Sequence, residues 1–540
     1  MLNITTFLDA NMRRLSKNVF HCPERGTYYN SEEILSIASG LAEKLKEKGI
    51  EKGDRVLIYL NNSPEYLFSY FAIWRIGAVA VPTNRVYTKF ELDYMIQNAG
   101  VRLVITDEDG VDSFDEENSS FSILVPAGIE EMRNHPILLP TETDPEDLCQ
   151  IQYTSGTTGK PKGAMLTHGN WLAAISNEVD VMEFVESDVY LGIYPMGHVG
   201  LSWGIAALRS GALYIMMERF ELENYLHLIE THKVTALSGM PPVIHSFVNC
   251  PEGTEERVKT VREIISGGGP LHNEIWKTFH HRYNIPVVNA YGLSETIVIG
   301  TGTVIRPVDY ATADKFQSVG HPVCFSEVKI VDENDPNREL EQGEIGEIAL
   351  RGPAVAKGYY GMPEETKQVF LADGWFLTGD IGYLDADLRL CLTDRKKDMI
   401  VMSGWKIYPT EVEDALLECE NVEDVAVFSY PHPHRGEVPI AAIKYKSNVS
   451  QIIAISVFAK SRLAKYKVPV DFLEVEEIPR INGWKTSRKI LNEKYSEYIE
   501  DFEKEYLKTK SPSSQNQSFK TSTNDMERTN GQNVNRSSKF

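Results

Sequence analysis

The chain has 540 residues, 42% of them hydrophobic and 24% charged, and a formal net charge of −22. That length exceeds what one hydrophobic core serves, the composition is ordinary for globular proteins, and the acidity excludes a general affinity for nucleic acid or anionic lipid. Six scattered cysteines (Cys22, Cys149, Cys250, Cys324, Cys391 and Cys419) form no Cys-x-x-Cys pair and are too sparse for a disulfide scaffold, so a reducing compartment fits.

The N-terminal "MLNITTFLDANMRRL" has no basic start followed by an apolar core, and no run approaches 18 apolar residues. The terminal "SSKF" is not a peroxisomal signal, and a cytoplasmic location with no transmembrane segment is expected. From Ser31, a candidate helix cap, "SEEILSIASGLAEKLKEKGIEKGDRVLIYL" joins an amphipathic helix to a short apolar strand. The alternation recurs in "SPEYLFSYFAIWRIGAVAVPTN", "KFELDYMIQNAGVRLVITD", "VTALSGMPPVIHSFV" and "REIISGGGPLHNEIWKTF", which predicts parallel sheets covered by helices. Between about 318 and 394 short alternating strands and turn residues predict a small antiparallel barrel or sheet module. The helix and strand style returns in "PTEVEDALLECENVEDVAVFSY", so a C-terminal domain is expected over 397–507, after an N-terminal domain over 1–396. Residues 508–540 are polar and nearly devoid of aliphatic side chains, which predicts a disordered tail.

The segment "YTSGTTGKPKG", Tyr153 to Gly163, packs three glycines, four Ser or Thr hydroxyls and two lysines into eleven positions. Glycine costs about 1 kcal/mol inside a helix, and hydroxyls prefer local backbone partners, so this is a loop. Glycines let backbone N–H groups approach phosphate oxygens, hydroxyls donate to them, and lysines supply charge. It is not a mononucleotide P-loop: two residues, not four, separate Gly156 from Gly159, and Pro161 follows Lys160 where a hydroxyl is needed. A solvated linker is the plainer alternative.

The segment resembles the signature Thr-Ser-Gly-Thr-Thr-Gly-x-Pro-Lys-Gly of the AMP-forming acyl-adenylating superfamily, which includes acyl-CoA synthetases, peptide-synthetase adenylation domains and beetle luciferases. The resemblance makes Thr154, Ser155, Thr157, Thr158 and Lys162 the phosphate-contacting groups, with Gly156, Gly159 and Gly163 allowing the fold-over. Further elements of that family follow in order. "YPMGHVG" places His198 at the border of the carboxylate and acyl pocket, with Gly197 and the nearby Trp203 as candidate pocket residues; no arginine or lysine is obviously placed to recognise a second carboxylate, with Arg209 left open. "SGGGPL" resembles the backbone flanking adenine, including Gly268 and Gly269. "AYGLSET" implies Tyr291 on adenine, Gly292 in the turn, Ser294 near the α-phosphate and Glu295 holding magnesium with Thr154. "TGD" implies Asp380 on the ribose hydroxyls. "DRKKDMIVMSGWK" implies Arg395 on ribose or phosphate, Lys397 at a hinge and Gly404 beside the pantetheine path. "IPRINGWKTSRKIL" departs from the family pattern at Arg480, Ile481, Trp484 and Thr486, yet spacing to Arg488 makes Lys485 the mobile adenylating lysine and Lys489 the fallback.

The resemblance implies an α/β fold: a large N-terminal domain of two helix-covered sheets plus a small β-barrel module, followed by a smaller mobile α+β C-terminal domain. The implied reaction is ATP-dependent activation of a fatty or other apolar carboxylic acid to an acyl-adenylate, then transfer to coenzyme A. Catalysis is assigned to Lys485, Thr154, Lys162, His198 and Glu295, with ATP, Mg²⁺ and coenzyme A as the small molecules used. Alternatives are loading of a carrier protein, an aryl or other acid–CoA ligase, a luciferase-like oxygenase, and a non-catalytic nucleotide-binding regulator. The expected partners are small molecules, with a homodimer left open.

Overall fold

The computed structural model describes residues 3–13, 17–115, 120–154, 161–306, 309, 318–432, 434–446, 452–481 and 485–495, and not the side chains of Asn18, Ile481 and Lys485. The expected tail, 508–540, lies outside the described residues. Residues 1–488 form one compact unit and 489–540 a second. In the second, residues 489–495 are helical, and Lys489 lies 3.7 Å from Glu493.

Two large sheets build the N-terminal part. The first runs in the order Ser122–Leu124, Val101–Thr106, Arg55–Tyr59, Val79–Thr83, Leu148–Thr154, Lys162–Thr167. All its neighbours are parallel except the last two strands, which pair antiparallel. Helices Pro64–Arg75 and Lys89–Ala99 supply crossovers between its strands, and Ser31–Glu47 leads into it, each buried along an apolar face as the alternation predicts. The cap of the first is one residue earlier than expected. Asn30 accepts from Glu33 N–H at 2.9 Å and Glu33 accepts from Asn30 N–H at 2.8 Å, so Ser31 is the first helical residue. A reciprocal box satisfies two orphan donors, which a lone serine does not.

The second sheet has nine strands, with Glu263–Ser266, Ala236–Ser238, Val189–Gly192, Leu213–Met216 and Asn18–Cys22 at its parallel centre. Val287–Leu293 extends it in parallel, and Val298–Val304, His321–Pro322 and Thr27–Asn30 close its edges antiparallel. The main core lies around helices Ser31–Glu47, Pro64–Arg75, His168–Met182 and Ser202–Ser210, with Trp74, Trp171 and Trp203 at its heart.

The β-rich module is a four-stranded antiparallel meander of Glu327–Val331, Gly346–Arg351, Phe376–Leu384 and Leu390–Arg395. A separate C-terminal domain follows. Its sheet joins Trp405–Ile407, Ile400–Met402, Gly436–Tyr445, Val422–His432 and Asp471–Glu474, covered by helices Pro409–Leu417 and Ile452–Arg462. The chain is therefore α/β with mixed sheets and a smaller α+β domain at its end. All six cysteines are unpaired, and no described helix is long and apolar enough to cross a membrane.

Candidate active site

Strands Val189–Gly192, Ala236–Ser238, Glu263–Ser266 and Val287–Leu293 run parallel, so their C-terminal ends open on one edge of the nine-stranded sheet. That edge carries His198, Pro241, Gly268 with Gly269, and Tyr291 on the segments that follow or finish the strands. Ligands of open α/β sheets bind outside the carboxyl ends of the strands. Gly268 has φ +84°, a conformation that glycine adopts without a Cβ penalty, and the ideal Cβ of Gly269 meets nothing nearer than Pro241 Cγ at 4.0 Å.

Tyr291, Asp380 and Arg395, expected around the nucleotide, are brought together. Asp380, 8% exposed, accepts from the Tyr291 hydroxyl at 2.9 Å and lies 3.5 Å from Arg395 Nε, its neighbour across the ladder. The Asp380 backbone N–H donates to Thr378 Oγ1 at 3.1 Å. Burial, then the Asp380 charge, push the Tyr291 phenol well above its ordinary value, so it stays a donor. The Gly292 backbone touches that of Val298, where a Cβ would sit 1.7 Å from the carbonyl oxygen; only glycine fits there.

The phosphate side is built from the first sheet's hairpin. Thr154 and Lys162 are the ladder pair at the loop end, and Thr154 Oγ1 donates to the Lys162 carbonyl at 3.4 Å. Ser155, Gly156, Thr157, Thr158 and Gly159 lie outside the described residues. Gly163 packs on Ile151 and Tyr153, where a Cβ would meet Ile151 Cγ2 at 2.6 Å. The Lys162 ammonium stands 5.0 Å from the centre of the Tyr359 ring, and the Tyr359 hydroxyl donates to Glu295 Oε1 at 2.9 Å. Tyr359 thus links the two, and the sequence reading missed it; Gly358 at φ +129°, just before two tyrosines in "KGYY", was the available signal. Burial raises the Glu295 carboxyl, although backbone donors, Tyr359 and Arg395 oppose the shift. Ser294 opens the short 3₁₀ turn Ser294–Thr296 that presents Glu295.

The residues expected at the acyl pocket have different surroundings from one another. His198 is half-buried at the start of the turn Val199–Leu201, its backbone N–H bonded to Pro195 O at 3.1 Å. Gly197, expected to widen a pocket wall, lies against the Thr83 backbone; a Cβ would sit 2.7 Å from Thr83 O and 2.9 Å from Thr83 C. Its lack of a side chain is explained by that approach. Trp203 is 1% exposed and belongs to the main core, as aromatic residues of its size commonly do. Arg209 lies with its guanidinium 4.2 Å from the Phe7 ring centre.

A group that the sequence reading passed over is Glu178, fully buried on helix His168–Met182. Ser202 donates to its Oε1, its Oε2 has no described hydrogen-bond partner, and burial pushes its carboxyl well above the ordinary range. At the domain junction, Lys397 is exposed in the turn between Leu390–Arg395 and Ile400–Met402. Gly404, φ +85°, turns the hairpin Ile400–Met402/Trp405–Ile407. Lys485 is paired through its backbone with Ile481, and its side chain lies outside the described residues.

Among the described residues no group of three or more His, Cys, Asp or Glu could hold a metal ion. A magnesium ion that arrives on nucleotide phosphates needs only one or two protein oxygens, which the Glu295 carboxylate and Thr154 hydroxyl can offer.

Residues 9–360 match the AMP-binding enzyme family, and residues 411–484 match the AMP-binding enzyme C-terminal domain. The chain belongs to the AMP-binding enzyme family, and by class it is an acid–thiol ligase. It is 33% identical over 518 residues to a long-chain-fatty-acid–CoA ligase of Bacillus subtilis (strain 168), covering 86% of this chain and 90% of that one. It is 30% identical to 4-coumarate–CoA ligase 3 of Oryza sativa subsp. japonica, covering 88% and 89%. Among solved structures, ATP-bound MatB from Rhodopseudomonas palustris superposes with a TM-score of 0.84 at 28% identity, covering 92% of this chain and 99% of that one. The apo form of the same protein gives 0.73 over the same shares.

Proposed function

We propose that the chain activates a fatty or other apolar carboxylic acid with ATP, releasing pyrophosphate, and transfers the acyl group to coenzyme A with release of AMP. The observation that carries this reading is the meeting of Lys162, Tyr359 and Glu295 in one chain of contacts. A cation on the hairpin that flanks the glycine-rich loop is thereby coupled to a buried carboxylate. The carboxylate substrate attacks the α-phosphorus, its oxygen forms the new P–O bond, and the bond to pyrophosphate breaks. Charge on phosphate oxygens dominates that barrier, so fixed cations and donors do most of the work. Lys162 and Lys485 supply cations, Thr154 and the loop hydroxyls donate, and Asp380 fixes the ribose. His198 borders the acid. Magnesium accompanying the nucleotide, held by Glu295 and Thr154, would neutralise phosphate charge. No general base is required, because the substrate acid is already ionised.

In the second step the thiol sulfur attacks the acyl carbon, forming the thioester and expelling AMP. The site must then admit pantetheine where the adenylating lysine stood. Rotation of residues 397–507 against 1–396, about the exposed turn at Lys397 and with the Gly404 hairpin facing the thiol path, would achieve this. The greater likeness to the ATP-bound than to the apo relative supports reading the present arrangement as that of the first step. The unpaired cysteines suit a cytoplasmic setting.

The 4-coumarate ligase relative supports an aryl acid as the second reading. A pyrophosphate-release screen over chain lengths and aryl acids, with coenzyme A as the only thiol, separates the two and tests carrier-protein loading as well. Lys485→Ala is expected to abolish acyl-adenylate formation and to spare thioester formation from pre-made adenylate. Near-normal ATP-dependent turnover in that variant would transfer the role to Lys489.

A further inference from the structure

His272 directly follows the glycine segment Ser266–Leu271 and precedes helix Asn273–Tyr283. Its Nδ1 lies 2.5 Å from Asp414 Oδ1 on helix Pro409–Leu417, so the contact joins the end of the adenine-side segment to the C-terminal domain. The side chains are 15% and 29% exposed. The titratable and charged groups facing His272 are Asp414, Glu413 and Asp424 from the C-terminal domain and His245 from helix Pro241–Val248. Glu413 is held by Arg488 at 3.0 Å and by Val427 N–H at 2.7 Å, and Asp424 is held by Arg480 at 2.6 Å. Asp414 is therefore the carboxylate that His272 grips. Arg480 lies on the strand that pairs with Lys485–Thr486, so this face of the domain carries the adenylating lysine's hairpin. Lys406 and Glu333, 2.6 Å apart, also join the domain to the β-rich module.

We propose that His272 and Asp414 are a proton-dependent positioning pair. As imidazolium and carboxylate they hold the C-terminal domain in the arrangement observed, and deprotonation of His272 releases the domain for thiol attack. This rests on the two-step reading above. Burial lowers the His272 pKa, but the charge and hydrogen bond of Asp414, with Glu413 and Asp424, outweigh it and leave the group above its ordinary value. A raised histidine stabilises the paired form fully below about pH 6.5, the unfolded value, and loses that effect as pH rises through the folded value. Alkaline conditions should thus favour the second step over the first.

The test measures both half-reactions by rapid quench from pH 6 to 8.5 in the wild type, His272→Ala and Asp414→Asn. Ionisation of the coenzyme A thiol accelerates the second step in all three, so the informative quantity is the ratio of second to first step in the wild type divided by that in each variant. We expect this quotient to rise by roughly fivefold across the range, a usual size for coupling between sites. Both variants should show the same flattening, although Asp414 lies on the C-terminal domain. A second readout needs no turnover: energy transfer between dyes on the exposed Cys324 and on Glu420→Cys, in a Cys419→Ser background, should shift with pH in the wild type and not in His272→Ala. A quotient independent of pH with matching dye distances would overturn the proposal. If no acid elicits pyrophosphate release from the wild type, the ligase reading fails, while the dye distance still decides the latch.

Discussion

Gly197→Ala separates two explanations of one glycine. If the residue merely widens an acyl pocket, a methyl group should narrow the range of acids accepted and leave stability alone. The structure implies the opposite. The new Cβ would lie 2.7 Å from the carbonyl oxygen and 2.9 Å from the carbonyl carbon of Thr83, and backbone atoms cannot swing aside as the end of a long side chain can. Thr83 is fully buried; its carbonyl accepts from the Tyr66 hydroxyl at 2.6 Å and its own hydroxyl donates to Ile58 O at 2.7 Å. Gly197 is tied from the other side, its carbonyl accepting from Gln152 Nε2 at 3.1 Å. Relieving the overlap therefore strains at least one buried hydrogen bond, and overpacking of this kind costs about 1–3 kcal/mol. For a chain of this size that corresponds to a fall in melting temperature of roughly 1–3 °C. Activity on every acid should fall by a common factor, measured as kcat/KM across chain lengths alongside calorimetry. An unchanged melting temperature with a shifted chain-length preference would refute the packing argument.

Tyr359→Phe keeps the ring beneath Lys162 but removes the donor to Glu295, and a lost hydrogen bond to a charged group is worth about 1.5–3 kcal/mol; ATP–pyrophosphate exchange should slow by at least tenfold, and an unchanged rate would place Glu295 outside the first step. Glu178→Gln keeps the Ser202 contact and removes a carboxyl whose folded pKa is raised by burial. Because the unfolded chain releases that proton above about pH 4.3 and the folded chain retains it, wild-type stability falls by about 1.4 kcal/mol per pH unit until the folded pKa is reached. The variant should gain on the wild type as pH rises from 4.5 to 7.5, and a constant difference in melting temperature would show that Glu178 is ionised in the fold.

Much of the fold could be read from alternation alone. Helices such as Pro64–Arg75 and strands such as Val79–Thr83 carry their period and their turn residues locally, and parallel sheets follow from their spacing. The site was legible where a motif is a backbone requirement. Gly292, Gly268 and Gly404 are glycines because a neighbouring carbonyl or a positive φ forbids other residues, and that information sits at the position itself. The Tyr291–Asp380 contact joins residues 89 positions apart, yet each lay in a segment distinctive enough to be found separately.

What escaped was pairing between segments that carry no signature. Tyr359 acts through its distance from Lys162 and Glu295, 197 and 64 positions away, and nothing in "KGYY" names those partners. The close approach at Gly197 escaped for a related reason, since the atoms that leave no room for a side chain there belong to Thr83, on a different sheet. Trp203 shows the limit from the other direction: position in a motif predicted a pocket, but a large apolar ring that packs beside Ile205 and Leu208 is buried for its own hydrophobic stabilisation. The same reasoning explains why His272 went unnoticed. Its neighbours in sequence belong to the glycine segment Ser266–Leu271, whereas its partner is Asp414, 142 residues later, on helix Pro409–Leu417. A residue whose partner lies on another domain is therefore one that local sequence describes least, because nothing near it in the chain names that partner.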